Sequence, residues 1–272
     1  MSVVRLSTSS DKNCLHKMSD FETNNNDMRL KPYRKDFTYS YSCGVFPTIE
    51  LITSRPEEVI KLIITEKGLS NSGVLKLMTI AEEKNIPYVI DNKTAERLYP
   101  KENSYAIGAF RKYTCTLRSD KNHIVLVNPS DKGNLGTILR TLTAFGIEDI
   151  AIITPAADIY DPKVIRASMG AVFKTRFQMF ASFEEYLNSL ADTVQRDYYP
   201  FMLNGQPLET AQKQPGNVFS LIFGNEASGL DDSFLSVGTP VRIMHLDTVD
   251  SLNLTIAAAI GIYNFTQGAF QK

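Results

Sequence analysis

The sequence predicts an α/β protein in two parts, a small α/β/α unit followed by a larger domain built on a parallel sheet. Three observations predict it. The chain has 272 residues, more than the roughly 100 to 200 that one domain usually takes. Its apolar content of 43%, with 22% charged residues, is that of a folded globular protein rather than a disordered one. From about residue 122 onward, strand-like apolar runs alternate with helical periodicity, the pattern that builds parallel sheets.

The elements follow in order. Residues 1–36 are polar, carry the tract Thr23-Asn24-Asn25-Asn26-Asp27 and show no sustained period, so they read as a mobile or loosely docked arm. At its end Arg29, Lys31, Arg34 and Lys35 interleave with Tyr33, Phe37, Tyr39 and Tyr41. That mixture can pair phosphates and stack on bases, and it equally suits a solvated linker anchored by its aromatics. Residues 37–112 form the small unit: helical patterns at 47–52, 71–84 and 94–98, with strand patterns at 60–64, 88–90 and 106–110. A polar exit at 113–121 is the linker. Over 122–272 strands are expected at 123–127, 150–153, 176–179, 200–203, 218–223 and 241–246, and helices at 136–145, 162–169, 183–191 and 252–265. No fixed-period repeat appears.

Charge is uneven along the chain. Residues 1–118 hold 18 Lys and Arg against 14 Asp and Glu, whereas residues 119–272 hold 11 against 16, within a formal net charge of −1. A more basic first half fits contact with a polyanion, although charged runs are mostly solvated faces. Cys14, Cys43 and Cys115 lie far apart with no metal-ligand spacing, so reduced thiols and no metal site are expected. His16, His123 and His245 read as isolated surface or core residues. The absence of an apolar run long enough for a membrane span or of a secretion signal predicts a cytoplasmic protein.

Ligands of open parallel sheets gather beyond the carboxyl ends of the strands, which directs attention to three loops. The first, N-P-S-D-K-G-N-L-G-T-I-L-R-T, places Gly133, Asn134 and Gly136 before an expected helix, with Arg140 one turn in. A glycine there lets backbone approach a ligand, and a helix start offers N–H groups to an anion. A plain turn with a surface arginine would explain the same residues. The second, G-N-E-A-S-G-L, runs from Gly224 through Asn225 and Glu226 to Gly229 and Leu230. The third, V-D-S-L-N-L-T, puts Ser251, Leu252 and Asn253 at the start of the last helix, where Ser251 suits an N-cap.

Together and in this order, N-L-G-x-x-x-R-T, G-N-E-x-x-G-L and S-L-N resemble the three signature blocks of the SpoU/TrmH family of RNA methyltransferases. The segment R-A-S-M-G-A (Arg166 to Ala171) is similar to the family's stretch between its first two blocks. The small unit resembles the ribosomal-protein-like substrate-binding domain that precedes the catalytic domain in many members. The resemblance implies a carboxy-terminal parallel-sheet domain with a deep trefoil knot, working as a homodimer. It implies S-adenosylmethionine as methyl donor and a ribose 2′-hydroxyl as acceptor, in 23S ribosomal RNA or alternatively in transfer RNA. It also implies Arg140, Asn134 and Asn253 as catalytic residues, with cofactor contacts from Gly224, Asn225, Glu226, Gly229, Ile243, Leu246, Ser251, Leu252 and Asn253. Two departures stand out: Ile243-Met244-His245 where the family usually has isoleucine-proline-methionine, and Ala227-Ser228 in place of a glycine-containing pair.

Two rival readings come from other classes. A non-catalytic RNA-binding or ribosome-assembly factor could keep the fold, but retention of Arg140 and Asn253 argues against it. A dinucleotide-dependent oxidoreductase requires a G-x-G-x-x-G fingerprint and an acidic ribose ligand, and neither is in the sequence.

Overall fold

The computed structural model describes residues 29–101, 104–191, 194–211 and 214–270. Two sheets organise them. The small one comprises β1 (Tyr39–Cys43), β2 (Val59–Ile64), β3 (Tyr88–Ile90) and β4 (Ala106–Arg111), with helices α1 (Val45–Ser54), α2 (Ser72–Glu83) and α3 (Asn92–Leu98). Its strand order is β1-β4-β2-β3, antiparallel except for the parallel β2–β3 pair. α2 and α3 start where asparagine and aspartate can cap: Asn71 accepts from the N–H groups of Gly73 and Val74, and Asp91 from that of Thr94.

The larger sheet holds six strands: β5 (His123–Val127), β6 (Asp149–Ile153), β7 (Arg176–Phe180), β8 (Arg196–Pro207), β9 (Val218–Phe223) and β10 (Val241–Arg242). Their order is β10-β8-β9-β5-β6-β7, and every pair is parallel. Helices α4 (Lys132–Ala144), α5 (Pro162–Ala167), α6 (Phe183–Asn188) and α7 (Leu254–Thr266) connect or follow the strands. α4 packs between α5 and α7. Chain order places β5 and β9 side by side although about 90 residues separate them, so the loops after these two strands share one crevice. Among the described residues no helix is long and apolar enough to cross a membrane.

Several sequence expectations need correction. Tyr39 and Tyr41, offered as stacking groups, are buried in β1. Tyr33 and Phe37 pack against the same cluster. β1 was missed because its alternation of tyrosine and serine reads as polar, whereas the strand is covered at the sheet edge: Ser40 Oγ donates to the Tyr160 carbonyl at 2.5 Å. The part of the arm at 29–36 is docked, with Leu30 buried and the Tyr33 hydroxyl donating to Asp158; the tract at 23–27 and the residues Cys14 and His16 lie outside the described residues. The stretch 113–121 is irregular as expected, yet Tyr113, Cys115 and Leu117 are buried. Cys43 and Cys115 are buried free thiols.

The two sheets share their apolar packing. Leu51 of α1 and Phe110 of β4 belong to the same buried cluster as Leu126, Leu139, Val172 and Phe173 of the larger part. Phe110 meets Phe173 edge to face at 5.1 Å, a contact that adds about 0.5–1.5 kcal/mol beyond burial. Arg55 seals the joint, donating to the Phe173 carbonyl at 3.1 Å while its guanidinium lies 4.9 Å above the Tyr113 ring. On the other side of the joint Arg166 donates to the Tyr99 hydroxyl at 2.8 Å.

At the amino-terminal ends of the large sheet a buried polar network replaces apolar packing. The His123 ring bonds the Tyr186 hydroxyl and the Arg118 carbonyl, both at 2.9 Å, and Tyr186 bonds Ser220 Oγ at 2.7 Å. Fully buried Asp149 is held by Arg118 at 2.5 Å. Every buried polar group here has a partner, which is what makes such a network tolerable.

Candidate functional site

The chain bends sharply after β5. Asn128 has φ 53°, a left-handed conformation that asparagine accepts better than most residues. Its carbonyl accepts Nδ2 of Asn225 at 2.7 Å, tying the β5 loop to the β9 loop. Asp131 then caps α4, accepting the Asn134 N–H at 2.7 Å. The helix therefore begins at Lys132, not at Gly136, and both glycines sit inside it. Gly136 is a packing residue: a Cβ there would lie 2.5 Å from the Ala167 Cβ of α5. Its expected role of letting backbone approach a ligand is replaced by close helix contact.

The β9 loop is a tight reversal. Asn225 and Gly229 pair as a single antiparallel bridge, with the Gly229 N–H donating to the Asn225 carbonyl at 2.9 Å. Asn225 Oδ1 accepts the Ala227 and Ser228 N–H groups. Gly229 has φ +68°, and a Cβ on Gly224 would stand 2.1 Å from the Gly229 carbonyl carbon. Gly224 has no room for a side chain, and Gly229, with open space around it, is held to glycine by its left-handed backbone.

Glu226 joins the two loops. Its Oε2 accepts the Ser130 N–H at 3.0 Å and the Ser130 hydroxyl at 2.8 Å, while Oε1 accepts the Asp131 N–H at 3.1 Å and Asn134 Nδ2 at 3.2 Å. Partial burial would push its carboxyl up, but the N–H groups of Ser130 and Asp131 outweigh this and hold it down at about 2. The group is a permanent anion that braces a loop; a carboxylate so engaged has no proton to exchange near neutrality.

The third loop meets the same point. Asn253, not Ser251, is the N-cap of the last helix, accepting the Thr255 N–H at 2.8 Å, and α7 accordingly starts at Leu254. Asn253 Nδ2 reaches Asn134 Oδ1 at 3.5 Å. Glu226, Asn134 and Asn253, one from each loop, form a single line of polar contacts.

Beside this line opens a cavity of about 430 Å³. Of the sequence-predicted cofactor residues, Gly224, Asn225, Glu226, Gly229, Ile243, Ser251 and Leu252 line it. Asn253 does not, its side chain being used to cap α7, and neither does Leu246: β10 ends at Arg242, the chain leaves the sheet, and Leu246 turns outward with 78% of its surface exposed. Within the expected strand at 241–246, His245 lines the cavity instead, so it is not the isolated histidine the sequence suggested. Arg140, on the exposed side of α4, is also outside the cavity wall. Among the described residues no hydrogen bond or ion pair engages its guanidinium.

A fourth wall was missed. Phe201, Met202, Leu203 and Asn204, at the far part of β8, line the cavity, and Phe201 stacks on Phe223 at 4.3 Å. The signal was available: β8 is a strand of the same parallel sheet, and its carboxyl end falls under the rule that picked the other three loops. Asn128 was missed as well, although an asparagine directly after a strand is a recognisable left-handed turn residue. Among the described residues no group of histidine, cysteine and acidic side chains could hold a metal ion.

Comparison with known proteins agrees with this geometry. The family described as SpoU rRNA Methylase matches residues 121–263. The chain is 24% identical over 216 residues to the 23S rRNA (guanosine(2553)-2'-O)-methyltransferase RlmP of Bacillus subtilis (strain 168), covering 74% of this chain and 84% of that protein. Its fold resembles the SpoU methyltransferase AviRb from Streptomyces viridochromogenes in complex with AdoMet, with a TM-score of 0.73, 19% identity and coverage of 86% of this chain and 91% of the other. It also resembles the AdoMet-bound rRNA methyltransferase from Sinorhizobium meliloti, with a TM-score of 0.71, 22% identity and coverage of 86% and 89%. With a family match across more than half of its length and three signature loops meeting at one cavity, the chain belongs to the SpoU rRNA methylase family.

Proposed function

We propose that this chain transfers a methyl group from S-adenosylmethionine to a ribose 2′-hydroxyl of ribosomal RNA, with 23S RNA as the favoured target. The observation that carries the reading is that Glu226, in the cavity wall, is tied to Asn134 and through it to Asn253. RlmP, which matches along three quarters of the chain, is named for 2′-O-methylation of a 23S guanosine.

The cavity suits the cofactor on chemical grounds. Its volume is in the range of small-molecule sites, its floor is apolar through Phe201, Phe223 and Ile243, and Gly224 presents backbone where no side chain can stand. When bound, S-adenosylmethionine supplies a methyl group activated by an adjacent sulfonium. The protein's task is then to hold a weak oxygen nucleophile in line and to stabilise charge on it. Asn134 and Asn253 each keep a second amide hydrogen beyond the bonds described above, and these donors orient the ribose. Arg140 grips the phosphate next to the 2′-hydroxyl; its planar fork of N–H donors serves as an anchor rather than as a base.

Arg140 reaches the site of a second copy. On α7, next to α4, Ile256, Ile260 and Tyr263 are exposed at 52%, 37% and 55%. They fall at i, i+4 and i+7, one apolar face, and this face with its free arginine fits a homodimer with a shared site. The family's knotted path through the β9 and β10 loops and RNA selection by residues 37–112 belong to the same reading.

The test is direct. Purified protein is incubated with labelled cofactor and 23S, 16S or transfer RNA, and the modified nucleotide is mapped. A 2′-O-methyl in 23S RNA is expected; a methylated base, or label only in transfer RNA, would overturn the assignment. Mixing Arg140→Ala with Gly224→Ala protein probes the shared site, since only a site built from both copies regains activity.

A further inference from the structure

The cavity wall contains one strongly basic side chain. Arg242 lies on β10, and its Nε is buried without any hydrogen-bond partner. The nearest carboxylate, that of Asp247, stands 3.9 Å from its terminal nitrogen and is almost fully exposed. A buried guanidinium nitrogen with no acceptor is costly and uncommon in a finished structure. The side chain as a whole is 32% exposed and lines the cavity, so an acceptor brought by a ligand would meet its terminal nitrogens.

The other charged groups of the wall narrow the choice. Glu226, Asp232 and Asp250 are acids, and the Glu226 carboxylate is already occupied by the β5 loop. An arginine is repelled by a sulfonium or an ammonium and binds an acceptor of negative charge more strongly than a neutral one. The ligand of the proposed function carries one such group, the carboxylate of its aminoacyl end. A planar guanidinium fork matches a carboxylate in shape as well as charge.

We infer that Arg242 is the residue that holds the aminoacyl carboxylate of the cofactor, separating that end from the apolar floor at Phe201 and Phe223. The inference rests on the proposed use of S-adenosylmethionine. It makes Arg242 a specificity determinant for ligands that carry the amino-acid tail against those that carry only the thionucleoside.

Calorimetry on the full chain tests it with two ligands, S-adenosylhomocysteine, which has the tail, and 5′-methylthioadenosine, which lacks it. Arg242→Ala is expected to weaken the first about ten- to a hundredfold, the loss of one charge-assisted hydrogen-bonded pair, and to leave the second unchanged. Arg242→Gln, which keeps a donor without the charge, is expected to fall between and serves if the alanine variant is unstable. Equal loss of both ligands would mean that Arg242 supports the pocket or the adenine, and no loss of either would mean that it faces elsewhere; both results overturn the inference alone. Wild-type protein that binds neither ligand overturns the proposed cofactor as well.

Discussion

Glu226 accepts Asn134 Nδ2 at 3.2 Å across 92 residues of sequence, and the same carboxylate receives the backbone N–H groups of Ser130 and Asp131 in the β5 loop. Glu226→Ala leaves those donors exposed and the β5 loop unanchored. Turnover is expected to fall at least about tenfold, equivalent to the loss of about 1.4 kcal/mol of transition-state stabilisation. Steady-state kinetics checks this, with Glu226→Gln recovering part of the loss because its amide oxygen still accepts.

The acid side has a defined window. The Glu226 carboxyl is held at about 2 against an ordinary 4.5, so its stabilising contribution is complete above pH 4.5 and is lost as pH falls towards 2. Denaturant midpoints measured across that interval should decline less steeply in Glu226→Gln than in the parent.

His123 sets a second window, higher up. Burial, with the nearby Arg196 guanidinium, pushes its imidazole down to about 3 from 6.5. The folded protein therefore holds it neutral, and stability falls as pH drops from about 6.5 towards 3 while the unfolded chain takes up a proton. Replacing His123 with Gln should flatten the dependence of the denaturation midpoint on pH in this range.

Arg140→Ala is expected to abolish methyl transfer without changing the melting temperature, because the side chain is exposed and bonds to none of the described residues. Cofactor affinity measured by calorimetry should stay close to that of the parent. Near-normal turnover by this variant would remove Arg140 from the mechanism.

Gly136→Ala separates packing from chemistry in the same helix. The added methyl meets Ala167 Cβ at 2.5 Å, and overpacking of this kind costs about 1–3 kcal/mol. Thermal denaturation should show the loss. Gly224→Ala, by contrast, should eliminate cofactor binding, since its methyl would collide with the backbone of Gly229.

Much of this arrangement was legible in the residues. Strands β3, β5 and β9 fall where their apolar runs end, because β-branched stretches bounded by turn residues leave little choice. The three loops were identifiable from their order along the chain. What stayed hidden depends on tertiary contact. The burial of Tyr39 and Tyr41 is decided by Ile60, Ala95, Leu98 and Ile107, which reach them only through the sheet and α3, and the start of α4 by Asp131, a cap that the glycines after it disguised. Gly136 looked like a ligand residue because sequence does not say which helix packs against which. The wall at Phe201–Asn204 lies where β8 runs on to Pro207, past the expected strand at 200–203, so the carboxyl end that marks it was placed too early.

The joint between the two sheets has a mechanical meaning. Because Phe110 and Leu51 are packed into the same apolar cluster as Leu139 and Phe173, the small sheet and the three loops are braced against one another through a common core. Such a body works as a caliper. If the small sheet grips one part of the RNA, only a nucleotide lying at that span can enter the crevice, and it is the RNA that must bend to be measured.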